Sequence, residues 1–117
     1  MITEDYISFE TAKLLKEKGF DEECIYVYRH DGSEDIWDAD KEDIACQKPT
    51  LQMAMKWLRE KYKIFICVVF LEEANMYGFT IEDISAKKYL ATSKNDWYST
   101  YEEACEVGIK YCLENLI

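Results

Sequence analysis

The chain has 117 residues, of which 49% are hydrophobic and 15% aromatic, and its net charge is −10. That content of apolar residues argues against a disordered chain, and the length favours a single domain over residues 1–117. The longest apolar run, residues 64–71, is far shorter than the about 20 residues of a membrane helix, so we expect no membrane association. Residues 1–6 do not resemble a signal peptide, which favours a cytoplasmic protein.

The first predicted element is a helix over residues 8–18. Ser8 is a suitable N-cap, because its hydroxyl can accept a hydrogen bond from the first turn. Gly19 can adopt the left-handed conformation that ends many helices. Phe20 would then pack on Leu15, which is the hydrophobic contact of a Schellman ending.

A β-hairpin is predicted to follow this helix. Residues 24–29 are rich in β-branched and aromatic side chains, as strands are. The dipeptide Asp31–Gly32 favours a type I′ turn, in which both central residues have positive φ. Residues 34–38 would form the return strand, and the polar residues 38–48 are expected to form a loop.

Thr50 is expected to cap a second helix, which ends near Tyr62 and has apolar residues at helical spacing. Residues 64–70 are apolar throughout, which predicts a central strand buried on both faces. Alternation over residues 77–82 and a short run at 87–92 predict two more strands of an antiparallel meander.

The last predicted helix begins with a capping box, in which Ser99 and Glu102 satisfy each other's backbone amides. The whole pattern predicts an α+β two-layer sandwich with a mostly antiparallel sheet and the order α-β-β-α-β-β-β-α. The apolar stripe of the last helix consists of Tyr101, Ala104, Cys105, Gly108, Ile109, Cys112 and Leu116.

Acidic residues are concentrated in residues 1–43, which carry 14 Asp and Glu against 5 Lys and Arg. A field of this sign repels nucleic acid and attracts basic surfaces, so we expect a protein partner with a basic surface and no direct nucleic-acid binding. An aromatic residue in a charged patch can anchor such a partner. The predicted docking residues are Asp31, Glu34, Asp35, Trp37, Asp38 and Asp40. Two alternatives to a docking role stay open. The acidic residues can serve only to keep the surface solvated, and Trp37 can serve only to cover a sheet edge.

The sequence contains no pattern typical of a metal-binding or catalytic site. The spacing of residues 38–42 begins like an EF-hand loop, but Asp43 and Pro49 stand where that loop needs Gly and Glu. The one histidine, His30, lies in the predicted turn, and the five cysteines form no CxxC pair, so buried thiols in a reducing cytoplasm are expected. We therefore expect no enzyme activity, catalytic residue, metal or cofactor.

The second helix presents four basic residues, which a solvated helix face explains best. Their charge is complementary to the acidic residues 31–43, so head-to-tail or swapped self-association into a homo-oligomer is an alternative. The basic residues are Lys56, Arg59, Lys61 and Lys63.

Three segments resemble small uncharacterised proteins of gut Bacteroides and of the phages and prophages of those bacteria. They are residues 49–60 (PTLQMAMKWLRE), 101–117 (YEEACEVGIKYCLENLI) and 7–20 (ISFETAKLLKEKGF), which together cover 43 of the 117 residues. The resemblance implies an accessory role in a mobile element and brings no known activity or cofactor. Our leading hypothesis is a non-enzymatic interaction module that uses the acidic surface. The alternative is a DNA mimic that inhibits a host nucleic-acid-binding protein, and a small enzyme comes third.

Overall fold

The structure, a computed structural model, describes residues 1–37 and 43–117. Within them the elements are α1 (Phe9–Glu17), β1 (Tyr26–Arg29), β2 (Glu34–Ile36), β3 (Ile44–Lys48), α2 (Leu51–Tyr62), β4 (Ile64–Leu71), β5 (Met76–Asp83), β6 (Lys88–Thr92) and α3 (Tyr101–Asn115). The strands form two antiparallel sheets, with the orders β2-β1-β3 and β4-β5-β6. The predicted α+β class and antiparallel pairing are confirmed, and the element order contains one strand more than predicted.

Helix α1 follows its local sequence signals. The Ser8 hydroxyl accepts a hydrogen bond from the amide of Thr11, as an N-cap does. At the other end Gly19 has a φ of +98°. The amide of Phe20 donates to the carbonyl of Leu15 at 3.0 Å, which is the bond that defines a Schellman ending. Both predicted ends of the helix are confirmed.

The turn between β1 and β2 is not the predicted type I′ turn. Gly32 has a φ of +86°, but Asp31 lacks the positive φ that a type I′ turn also needs. The amide of Gly32 donates to the carbonyl of Arg29 at 2.9 Å, and the amide of Arg29 donates to the carbonyl of Ser33 at 2.8 Å. These bonds close a three-residue loop that ends in a glycine bulge, so Asp–Gly here serves a different hairpin loop.

Residues 44–48 form strand β3, although the sequence predicted a loop over 38–48. β3 pairs antiparallel with β1, with Tyr28 opposite Cys46 and Tyr26 opposite Lys48. The register shifts between Tyr28 and Arg29, since Arg29 lies opposite Ile44 and β3 therefore contains one extra residue, Ala45, at this point. The prediction was wrong because the loop was extended from the acidic residues into this short strand, whose hydrogen bonds to β1 are not visible in the local sequence.

Helix α2 is capped as predicted. The Thr50 hydroxyl accepts a hydrogen bond from the amide of Met53 at 3.1 Å, and the helix ends at Tyr62. Trp57 is buried as well, although it lies among the basic residues of the helix in the sequence. Its ring lies edge-on to those of Phe20 and Tyr62, with centroids 5.5 and 5.4 Å away. These ring contacts fix one side of the core.

Strand β4 is an edge strand of the second sheet, whereas its apolar sequence predicted a central strand. It pairs with β5 along all eight residues, and β5 occupies the centre. Ile64 and Ile66 point into the core, and the alternate residues Phe65, Cys67, Val69 and Leu71 are half-buried on the other face. An apolar strand therefore need not be central, since here one apolar face lies against the core and the other does not.

Helix α3 is capped by Thr100 and not by Ser99. The Thr100 hydroxyl accepts a hydrogen bond from the amide of Glu103 at 3.1 Å. The Ser99 hydroxyl donates instead to the carboxylate of Glu103 at 3.3 Å. The predicted capping box was wrong by one residue, because both hydroxyl residues satisfy the local pattern and only the start of the helix selects between them.

The hydrophobic core joins all three helices to the second sheet. α3 packs against α1, α2, β4 and β5, and Gly108 of α3 lies against Ile66 and Phe79 of the sheet. A Cβ at that position would lie 3.1 Å from Cγ2 of Ile66, so the absence of a side chain permits the contact. None of the helices within residues 1–37 and 43–117 is long and apolar enough to cross a bilayer.

Candidate functional site

The predicted docking residues lie in and after the β1–β2 hairpin. Asp31 is in the loop, Glu34 and Asp35 are in β2, and Trp37 follows β2 directly. The other two predicted residues, Asp38 and Asp40, lie outside the described residues. The hairpin therefore brings together those of the predicted acids that the structure places.

Arg29 compensates two of the acids around the hairpin. Its guanidinium forms ion pairs with the carboxylates of Asp35 and Asp43, and its Nε donates to Oδ2 of Asp35 at 2.9 Å. The hydrogen bond from Arg29 holds the pKa of Asp35 below its usual range, and the two carboxylates raise the pKa of Arg29. Both acids thus serve a structural ion-pair network across the sheet.

Glu34 is paired with Lys48, which lies in β3. The Lys48 Nζ is 2.6 Å from Oε2 of Glu34, and the Lys48 side chain is only 12% exposed. The same ammonium lies 4.9, 5.9 and 5.3 Å from the ring centroids of Tyr6, Tyr26 and Tyr28. Three aromatic rings and one carboxylate therefore surround this cation.

Asp31 has a local role in the hairpin loop. Its carboxylate accepts hydrogen bonds from the amide of Ser33 at 2.9 Å and from the Ser33 hydroxyl at 2.6 Å. The bond from the hydroxyl is the main cause that lowers the pKa of Asp31. Short polar side chains in turns commonly make such bonds two residues ahead. The described docking acids therefore all have partners within the chain.

Apolar side chains are the more unusual feature of this hairpin. Ile25 is 74% exposed and Ile36 is 54% exposed, and Trp37 is half-buried beside them. The amide of Trp37 donates to the carbonyl of Ile25 at 2.8 Å, which fixes the chain after β2 against the residue before β1. These three side chains line one open groove with Glu23 and Cys24, which we call the hairpin groove.

Three acidic residues come directly before the hairpin groove in the chain, and the last of them, Glu23, lines it. Asp21, Glu22 and Glu23 are exposed, and they precede Cys24, whose thiol is buried. Sequence reasoning included Trp37 and missed Ile25, because an isoleucine in a strand-like run is normally buried. The available signal was its position at the start of the hairpin, next to three consecutive acids.

Most of the thiols lie in the core, and the histidine lies at the surface. His30 is exposed in the hairpin loop, and four of the five cysteines are buried. Burial raises the pKa of the Cys24 and Cys105 thiols to about 11 and that of Cys112 to about 12, so these thiols are protonated near neutral pH. Among residues 1–37 and 43–117, no three His, Cys, Asp or Glu residues form a group that could hold a metal ion.

Comparison of the chain with protein-family models, with curated proteins and with solved structures gives no match.

Proposed function

We propose that the protein is a non-enzymatic protein-interaction module and that the hairpin groove, with the acids that flank it, is its docking surface. The observation that supports this most directly is the exposure of Ile25 and Ile36 beside Trp37. Interfaces obtain most of their binding energy from a few apolar or aromatic anchors that become desolvated. The flanking acids Asp21, Glu22 and Glu23 would form the polar rim and favour a partner with a basic surface.

The ion pairs at the hairpin favour this module over a DNA mimic. A mimic needs a row of uncompensated carboxylates at phosphate spacing, whereas Arg29 and Lys48 compensate three of the described acids here. An exposed apolar groove is also of little use against a protein surface that binds phosphates. The mobile-element setting of the partner rests on the resemblance to proteins of gut Bacteroides and their phages.

The test is a quantitative affinity enrichment from the lysate of a gut Bacteroides species. The bait is the wild-type chain, and the test variant carries Ile25→Thr and Ile36→Thr together. The matched control is Ile84→Thr, since Ile84 is a 46% exposed isoleucine outside the hairpin. Threonine keeps a β-branched side chain, so the hairpin should persist while the apolar contact is lost.

We expect a partner that the wild type and the Ile84→Thr variant enrich equally and that the double variant loses. High salt should weaken the enrichment, because the rim acids act through screened charges. Equal recovery by all three baits would contradict the hairpin groove as docking surface. A partner that added DNA displaces from the wild-type chain would support the mimic instead.

A further inference from the structure

The free edge of strand β4 is a second surface that the proposed function does not use. β4 pairs with β5 on one side, and no residue within 1–37 and 43–117 donates or accepts a backbone hydrogen bond on its other side. The eight residues Ile64–Leu71 contain no charged residue and no proline. Long apolar edges without such protection readily pair with another strand.

The pairing of β4 with β5 determines which backbone groups point to this edge. The amide of Ile84 donates to the carbonyl of Lys63 at 2.9 Å, which makes residues 63 and 84 a hydrogen-bonded pair of the ladder. In an antiparallel ladder hydrogen-bonded and non-hydrogen-bonded pairs alternate. The amides and carbonyls that point away from β5 are therefore those of Ile64, Ile66, Val68 and Phe70.

The next strand along the sheet confirms this alternation independently. Tyr77, which lies opposite Phe70, exchanges both of its backbone hydrogen bonds with Tyr98 at 2.7 Å. Its amide and carbonyl are thus used on the side away from β4. Phe70 and Tyr77 consequently form a non-hydrogen-bonded pair, and the backbone groups of Phe70 point to the free edge.

We propose that two copies of the protein pair antiparallel through the β4 edges and form one continuous six-stranded sheet. The register that uses all four outward-pointing residues places Ile64 opposite Phe70 of the second copy and Ile66 opposite Val68 of the second copy. The two-fold axis then passes beside Cys67, which faces Cys67 of the second copy. A two-fold interface of this kind is closed, so the assembly stops at the dimer.

The charges at the two ends of β4 favour this orientation. Lys63 comes directly before the strand, and Glu72 and Glu73 come directly after it. Antiparallel pairing brings the lysine of each copy beside the two glutamates of the other. Parallel pairing would instead place like charges together, which is unfavourable on a sheet.

Side-chain exposure along β4 is consistent with a covered edge. Phe70 is 51% exposed although it lies on the strand face that includes the buried Ile64 and Ile66. In the dimer it would pack against Ile64 of the second copy. On the opposite face Phe65 and Val69 of the two copies would form aromatic–aliphatic cross-strand pairs, which stabilise sheets.

The salt dependence separates this dimer from self-association by opposite charges. The eight strand residues of the contact are uncharged and charges lie only at its two ends, whereas each copy carries a net charge of −10. Salt screens the repulsion between the two acidic copies, so the β4 dimer should become more populated as salt rises. A contact between the acidic residues 31–43 and the basic face of α2 should become less populated.

The first experiment measures the mass in solution over a concentration series at low and high salt. We expect the 13.9 kDa chain to reach twice that mass, with more dimer at high salt. Val68→Pro should be monomeric, because it removes an amide that β5 does not use and places a ring in the partner's path. Val68→Thr keeps the amide and is the matched control that should still form the dimer. A chain that stays monomeric under all conditions would overturn the proposal.

Phe70→Lys is a second disrupting variant in case Val68→Pro does not fold, as judged by circular dichroism. Its side chain is half exposed and its backbone groups point to the same edge, so a charge there should abolish the dimer and leave the monomer folded. A dimer that persists unchanged in both folded variants would place the contact elsewhere and overturn the proposal.

Cross-linking through Cys67 tests the register. Directly opposed residues of a non-hydrogen-bonded antiparallel pair have Cα atoms about 4.5 Å apart, within the range of disulfides. Diamide takes two electrons and two protons from the two thiols, which become one disulfide while the azo group becomes a hydrazine. We expect a covalent dimer from the wild type and from Cys24→Ser and none from Cys67→Ser. Absence of the Cys67 cross-link in a non-covalent dimer would overturn this register.

Discussion

Gly78, in the central strand β5, should not tolerate an alanine. A Cβ at this position would lie 2.7 Å from Oγ of Ser93 and 2.7 Å from Cζ3 of Trp97. The Ser93 hydroxyl cannot simply rotate away, because it accepts a hydrogen bond from the amide of Phe79 at 3.1 Å. Moving it would leave a buried amide unpaired, so the indole has to shift instead.

The expected cost follows from two opposing contributions. Overpacking of a tight contact costs roughly 1–3 kcal/mol. Replacing glycine by alanine restricts the unfolded chain and returns about 0.4–1 kcal/mol. We therefore expect Gly78→Ala to lower the free energy of unfolding by about 1–2 kcal/mol, which corresponds to a melting temperature lower by roughly 4–8 °C.

Urea denaturation of a double-mutant cycle is the assay. Gly78→Ala is measured alone and in a Trp97→Ala background, where the indole that causes most of the clash is absent. The substitution should cost about 1 kcal/mol less in that background, since residues in contact do not behave additively. Gly108→Ala is the control. Its Cβ would lie 3.1 Å from Cγ2 of Ile66, and alanine is preferred to glycine inside a helix, so this substitution should be far less damaging. A neutral Gly78→Ala, or an equal cost in both backgrounds, would refute the steric explanation.

Three further predictions concern protonation and helix capping. Burial raises the pKa of the Cys112 thiol to about 12, whereas a thiol in an unfolded chain has a pKa of about 8.5. The protonated thiol therefore stabilises the fold fully below the unfolded pKa, and this stabilisation is lost as the pH rises toward the folded pKa. In Cys112→Ala the urea midpoint should accordingly decrease less with rising alkaline pH than it does in the wild type. The hydrogen bond from Arg29 lowers the pKa of Asp35 in the folded chain. The ion pair therefore stabilises the fold above the unfolded pKa of about 3.9, and this stabilisation is lost as the pH falls. On acidification the urea midpoint of Asp35→Asn should fall less than that of the wild type. Thermal melts should show that Thr100→Ala costs about 1 kcal/mol and Ser99→Ala less, and the reverse order would contradict the cap assignment.

Local signals in the sequence predicted the helices and the meander well. Ser8, Gly19 and Thr50 act through bonds to residues a few positions away, so their roles can be seen in a short stretch of sequence. Strand β3 was missed because its stabilising partner is β1, and its five residues follow an acidic stretch and show no apolar–polar alternation of their own. The position of β4 at an edge was missed because strand order is a property of the whole sheet.

The candidate site was predictable in position but not in character. The acidic composition indicated the hairpin, and the structure places Asp31, Glu34 and Asp35 there. It also pairs the acids of β2 with Arg29 and Lys48, each of which approaches only because the strands align. Sequence separation conceals such pairs, which is why charge alone overstated the acidity of this surface.

Helices α1 and α3 are tied together across almost the whole length of the chain. The amide of Ser8 donates to the Glu106 carboxylate at 2.9 Å, and Lys110 forms an ion pair with Glu10 at 2.9 Å. During synthesis, the residues of α1 are made about 100 residues before their partners on α3. The native core therefore closes only after α3 has emerged, and until then the exposed apolar faces of α1 and β4 are natural targets for a chaperone.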